Sequence, residues 1–262
     1  MRKIVWVLTA LFLAACGDRN PKSKPEAAWQ REAKFTAFLQ LSTAVPLDSS
    51  RKVLDTLLAH YAPDSAAMKQ LVGMLGRPLA DPNSPIRNEE LYIPILEAVV
   101  ASPFYDSTEK IQPRFRLEMA LKNRLGRQAN DFEYTLGDGS RGRLYGVEAP
   151  YTLLYINNPD CHACEEMLAQ LVGSKVISEA QREGRLKIVA IYPDEDLAAW
   201  RKHRKEVPAE WINGYDAGLA MRREELYDLR AIPSLYLLND QKRVLLKDCT
   251  AVGQIEVYLS QQ

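Results

Sequence analysis

Tyr151-Thr152-Leu153-Leu154-Tyr155-Ile156-Asn157-Asn158-Pro159-Asp160-Cys161-His162-Ala163-Cys164 is the stretch whose reading decides the fold. Tyr151 to Ile156 is a continuous apolar run, which predicts a strand covered on both faces. A helical pattern opens at Glu165. A strand that delivers a Cys-x-x-Cys pair to the first turn of a helix is a thiol–disulfide device. The spacing lets both sulfurs meet across one helical turn. The helix N-terminus supplies unpaired N–H groups and partial positive charge. That field favours thiolate over thiol, and the thiolate is the nucleophile in disulfide exchange. Cys161, at the exposed edge, is expected to attack, and Cys164 to resolve the mixed disulfide.

The rest of the chain sets the context. Its 262 residues favour two domains, and 47% hydrophobic with 26% charged residues is the composition of a soluble globular protein. A net charge of zero implies no general attraction to nucleic acid. Arg2 and Lys3 precede an apolar run from Ile4 to Leu13, too short to span a bilayer. Residues 1–15 therefore read as a secretory signal peptide. Leu13-Ala14-Ala15-Cys16 resembles the bacterial lipobox, which implies acylation of Cys16. A plain signal that happens to contain a cysteine is the other reading. Residues 16–25 form a polar, proline-containing tether. The expectation is a lipid-anchored protein of the bacterial envelope, facing the extracytoplasmic space. That compartment is oxidising, so the pair needs an electron source or sink.

Residues 26–127 read as an all-α domain of about five helices: Ala28 to Leu41, Val53 to Tyr61 capped by Ser49 or Ser50, Ala66 to Leu75 stopped by Gly76, Glu89 to Ala101, and Arg114 to Leu125 closed by Gly126. Residues 77–85, with three prolines, read as a loop. From Asp131 the texture turns to strand alternation. A hairpin turns at Gly137-Asp138-Gly139. After the strand at Tyr151 come a helix from Glu165 to Arg182, a strand from Leu186 to Tyr192 and a helix from Asp194 to Lys205. A short helix from Leu219 to Leu226, strands at Ser234 to Leu238 and Arg243 to Lys247, and a helix from Gln254 to Leu259 complete residues 128–262. Right-handed crossovers make the central strands parallel and the last hairpin antiparallel.

This order, with Cys161-His162-Ala163-Cys164 at the first strand-to-helix junction, resembles a thioredoxin-like α/β domain with a central mixed sheet flanked by helices. Ile232-Pro233, just before a strand, is the second matching element. The resemblance implies a cis proline at Pro233, beside the Cys-x-x-Cys, and pairing of the Ile232 backbone with a bound substrate. Tyr227-Asp228-Leu229-Arg230-Ala231-Ile232-Pro233-Ser234-Leu235-Tyr236-Leu237 is similar to the TlpA/ResA-like branch. The helical half with its Cys16 resembles Bacteroides-type lipoproteins, in which a helical domain of unknown function precedes a thioredoxin-like domain.

Asp160 and the dipeptide His162-Ala163, which stands where thioredoxin has Gly-Pro, depart from the thioredoxin pattern. Asp160 stands where thioredoxin carries tryptophan, and its carboxylate either opposes a thiolate or serves as a proton acceptor. His162, between the cysteines, either stabilises a thiolate when protonated or is simply solvated. Competing readings of the pair are a structural disulfide and a zinc site. A very short loop gains little from a disulfide. Structural zinc needs four ligands, and His60, His203 and Cys249 do not cluster with the pair in sequence. The Pro-x-x-x-Thr/Ser-x-x-Cys pattern of a peroxiredoxin is absent before Cys161. Cys249 and His60 read as core or surface residues, and Arg201 to Lys205 as the solvated side of a helix. Asp194-Glu195-Asp196, Glu165 and Glu166 read as complements to helix N-termini.

The expected activity is thiol–disulfide exchange with a protein disulfide, in the reducing direction, fed by an upstream electron donor and needing no cofactor or metal. Two alternatives stand beside it. One is a lipid-anchored binding or assembly protein whose helical domain is the working part. The other is an oxidase or isomerase.

Overall fold

The computed structural model describes residues 26–81 and 84–261. Residues 1–25, where a signal peptide, an acylated Cys16 and a tether are expected, lie outside the described residues. The chain divides into two compact units between Ala120 and Leu121.

The first unit is helical: α1 (Ala28–Ser42), α2 (Leu47–Tyr61), α3 (Ser65–Ala80), α4 (Glu89–Ala101) and α5 (Ile111–Leu121). Its core gathers Phe35, Phe38, Leu54, Leu57, Leu71, Leu75 and Leu91, all fully buried or nearly so. Burial at about 1.5–3 kcal/mol per large aliphatic side chain is what holds these amphipathic helices together. Helix α4 has the expected bounds. The others are corrected. Helix α2 starts at Leu47 behind Pro46, and Ser50 sits buried inside it rather than capping it. Asp64 caps α3, accepting the Ala67 N–H at 3.0 Å. That helix runs on through Gly76 to Ala80. Gly76 is buried inside the helix, where a Cβ would meet the Tyr92 ring at ordinary contact distance, 3.6 Å. The stripe Met68, Leu71, Leu75 and Leu79 continues past it. Helix α5 ends at Leu121, and Gly126 serves elsewhere, donating its N–H to the Val244 carbonyl at 2.8 Å.

The second unit is a seven-stranded mixed sheet in the order β2-β1-β5-β4-β3-β6-β7. Its strands are β1 (Glu133–Leu136), β2 (Arg141–Arg143), β3 (Tyr151–Ile156), β4 (Leu186–Tyr192), β5 (Ile212–Tyr215), β6 (Ser234–Asn239) and β7 (Val244–Cys249). Strands β3, β4 and β5 are parallel, while β6 runs antiparallel to β3 and β7 antiparallel to β6. Its helices are α6 (His162–Gly173), α7 (Lys175–Arg182), α8 (Leu197–His203), the single turn α9 (Ala220–Arg223) and α10 (Val252–Ser260). Two hydrophobic clusters sandwich the sheet. One holds Leu153, Tyr155, Leu171, Ile188, Leu235 and Ile255. The other holds Phe132, Leu154, Ile156, Val189, Tyr227 and Tyr236. Alternate residues of β3 thus serve opposite cores, which is why that strand carries no polar alternation.

Several expectations change here. The long helix after Cys164 is two helices, because Ser174 ends one and caps the next, accepting the Ile177 N–H at 3.2 Å. Asp196 caps α8 and shortens it, accepting from Ala198 and Ala199. The helix expected from Leu219 to Leu226 shrinks to one turn. The last strand and helix shift slightly, to Val244–Cys249 and Val252–Ser260. Strand β5 was not expected at all. It is four residues long, contains Asn213 and Gly214, and joins the hairpin to the parallel strands. Gly214 permits that junction: a Cβ would stand 3.0 Å from the Thr135 carbonyl and 3.2 Å from the Tyr134 ring. Gly214→Ala is therefore expected to cost about 1–3 kcal/mol through overpacking. The check is the thermal unfolding midpoint, which should fall by several degrees; an unchanged midpoint would show that β1 and β5 separate at no cost.

Candidate functional site

Strand β3 ends at Ile156, and the loop 157–160 carries the chain to α6. Cys161 is the N-cap of that helix. Its sulfur accepts the Cys164 N–H at 3.3 Å, the task usually given to serine or aspartate oxygen at this position. The two sulfurs stand 2.7 Å apart, and both cysteines are free thiols. Cys161 is half-buried and reachable, whereas Cys164 is 4% exposed. The Asn158 N–H reaches the Cys164 sulfur at 3.5 Å. From below, the Tyr155 hydroxyl donates to the Cys164 carbonyl at 2.7 Å and fastens the first turn of α6 to the sheet. Burial pushes the Tyr155 phenol up, with the two cysteines adding to the effect, so it stays neutral.

The Ile232–Pro233 peptide bond is cis. The Ile232 carbonyl lies 3.9 Å from the Cys161 sulfur. The second expected element therefore sits directly against the first. Ser234, which opens β6, is held by a 2.7 Å hydrogen bond from its hydroxyl to Asp248.

The neighbours of the pair are placed differently from each other. His162 is 84% exposed, and its ring lies over the carboxylates of the first turn, 3.8 Å from Glu165 and 3.2 Å from Glu166. Asp160 takes a left-handed backbone, φ 59°. Its carboxylate lies 3.0 Å from His203 Nε2 and 3.8 Å from Lys202 Nζ, both at the end of α8. The basic run is thus more than a solvated face: His203 is half-buried, and Arg204 donates to the Gly137 carbonyl at 3.2 Å. Beside the pair opens a small cleft of ≈ 40 Å³, lined among others by Tyr155, Asn158, Asp160, Cys164, Trp200 and His203. Cys249 is buried in the sheet's core on β7, and His60 lies edge-on to Tyr61 at 4.7 Å on α2. Cys16 lies outside the described residues. Among the described residues, no three His, Cys, Asp or Glu side chains converge in a way that would hold a metal ion.

A solved structure of a thioredoxin-like protein from Bacteroides caccae matches this fold with a TM-score of 0.84. It is 43% identical, over 94% of this chain and 88% of that one. The chain belongs to this thioredoxin-like family. The C-terminal domain of an uncharacterized protein from Bacteroides fragilis is 52% identical, with a TM-score of 0.52 over 53% of this chain and 98% of that one. A conserved protein of unknown function from Bacteroides fragilis is 35% identical, with a TM-score of 0.50 over 52% of this chain and 98% of that one. Residues 22–123 match a family model described as a domain of unknown function, DUF5106. No curated protein matches the chain.

Within this thioredoxin-like unit, three contributors to the site had no readable signal as such: Tyr155, Asn158 and His203. Tyr155 reads as core, Asn158 acts through its backbone, and His203 comes from a distant helix. Burial, and then the hydrogen bond to Cys161, push the Cys164 thiol up to about 12. The unfolded chain releases that proton near 9. The folded pKa is the higher one, so the folded state is favoured by this group below pH 9 and loses that preference as pH rises toward 12. Reduced protein is therefore expected to lose stability across that window. Cys164→Ala should flatten the loss, as read by denaturant midpoints at pH 8 and pH 11; equal losses in both proteins would contradict the burial of a protonated Cys164.

Proposed function

We propose that this protein is an envelope-anchored thiol–disulfide oxidoreductase acting on protein disulfides in the reducing direction. The observation that carries the reading is the unequal pair: one sulfur reachable at the mouth of a helix, the other buried 2.7 Å behind it. Cys161, as thiolate, attacks a substrate disulfide. A sulfur–sulfur bond forms between Cys161 and the substrate, and the other substrate sulfur leaves as a thiolate that takes a proton from solvent. Cys164 then gives up its proton and attacks the Cys161 sulfur. The Cys161–Cys164 disulfide forms, the mixed disulfide breaks and the second substrate thiol leaves. Two electrons have passed from the pair to the substrate. A dithiol donor must return them before another cycle.

The Ile232 carbonyl, 3.9 Å from the attacking sulfur, is a ready acceptor for a backbone N–H of the substrate. Pro233 cannot donate a backbone hydrogen bond and leaves that edge open to a visiting chain. Lipid on Cys16 would hold the protein at the membrane, with both units extracytoplasmic.

The test is reduction of insulin or glutathione disulfide by the soluble chain with a dithiol donor in excess. Cys161→Ser is expected to cut the rate at least about 100-fold, since no other thiol takes over the attack. Cys164→Ser is expected to accumulate a mixed disulfide on Cys161, visible by mass spectrometry. Wild type and Cys161→Ser reacting at equal rates would instead favour a binding protein with an idle cysteine pair.

A further inference from the structure

Asp160 poses an electrostatic problem for the site just described. A carboxylate immediately before the attacking cysteine opposes negative charge on the sulfur. Its side chain is nonetheless committed elsewhere. The left-handed backbone at Asp160 sends the carboxylate to the end of α8, against His203 Nε2 at 3.0 Å and Lys202 Nζ at 3.8 Å. His203 is itself held on its other side, with Nδ1 2.9 Å from Glu206. His203 Nδ1 is hydrogen-bonded to Glu206, whereas Nε2 faces the Asp160 carboxylate at ion-pair distance but outside hydrogen-bond geometry. The remaining charged groups around this contact are Arg204 on the same helix end, Glu165 and Glu166 on α6, and His162, which sits over those two glutamates. Tyr155 beneath them stays neutral.

We propose that His203 is a positioning residue for the nucleophile: it clasps the Asp160 carboxylate against the end of α8, so that Asp160 opposes the Cys161 thiolate less than a free carboxylate there would. The inference rests on the reading of Cys161 as the attacking sulfur. Two independent features support a fixed clasp. One is the left-handed backbone at Asp160, a conformation aspartate tolerates and which places its carboxylate against the end of α8. The other is the low exposure of the histidine, 18%, on a helix end whose other basic residues are exposed. Lys202, itself 71% exposed, adds a weaker and screened contribution.

The experiment measures the rate of Cys161 alkylation by iodoacetamide against pH, on the reduced full chain, with the modified site located by mass spectrometry. His203→Ala is expected to slow alkylation at pH 7 by about threefold to tenfold, the effect of one released, partly solvated carboxylate on the neighbouring residue's sulfur. Asp160→Asn is expected to accelerate the reaction far more in the His203→Ala background than in wild type, since there the carboxylate is no longer clasped. Should the alanine variant lose its circular dichroism, His203→Leu takes its place, filling similar volume without a donor. An unmoved profile in the histidine variant, or an equal effect of Asp160→Asn in both backgrounds, would overturn the clasp. Insulin reduction measured alongside separates the two ideas: a protein whose Cys161 responds to these changes but exchanges no disulfide keeps the clasp and loses the proposed activity.

Discussion

The hydrogen bond from the Cys164 N–H to the Cys161 sulfur, 3.3 Å long, is the contact on which the site depends. It makes the reactive atom the cap of α6. An ordinary cap lends a polar side chain to the helix and gains only stability. Here the cap is a sulfur, and the exchange runs both ways. The helix end needs an acceptor, and the sulfur gains donors at the position where negative charge is most welcome. Everything around the pair keeps that geometry in place. Strand β3, buried on both faces, fixes where the loop 157–160 begins. Tyr155 ties the first turn of α6 down to the sheet. The antiparallel pairing of β6 with β3 brings Ile232 within reach of the sulfur.

The two cysteines differ because of where the helix places them, one turn apart. Cys161 stands at the rim. Cys164 has rotated under the first turn, where desolvation holds its proton. A pair in which one thiol is available and the other is held back suits a sequence of two steps.

Much of this was legible in the sequence wherever the signal is local. The bounds of β3, β4 and α4 follow from apolar runs and stripes closed by polar or turn residues. Cys-x-x-Cys spacing gave the sulfurs, and Ile232-Pro233 marked the second wall of the site. The failures have physical reasons. Gly76 and Gly126 look like helix stops, yet one lies inside a helix whose apolar stripe runs on past it and the other makes a backbone contact with β7, which a linear pattern does not record. Ser174 breaks a helix by offering an oxygen to Ile177. Strand β5 is short, carries Asn213 and Gly214, and owes its existence to neighbours on both sides. Asp160 reads as a hostile charge and His203 as a solvated one, because their meeting depends on α8, held to β5 through Trp200, coming up beside the loop 157–160.

The most direct measurement of the central claim is the fraction of Cys161–Cys164 disulfide at equilibrium across a series of glutathione redox buffers, trapped by acid and quantified by mass spectrometry. A freely cycling pair predicts one reversible two-electron transition, with a tenfold change in the disulfide-to-dithiol ratio for about every 30 mV. Approach from the oxidised and the reduced side should give the same curve. A pair that stays fully reduced or fully oxidised throughout, or that forms only glutathione adducts, would contradict the account.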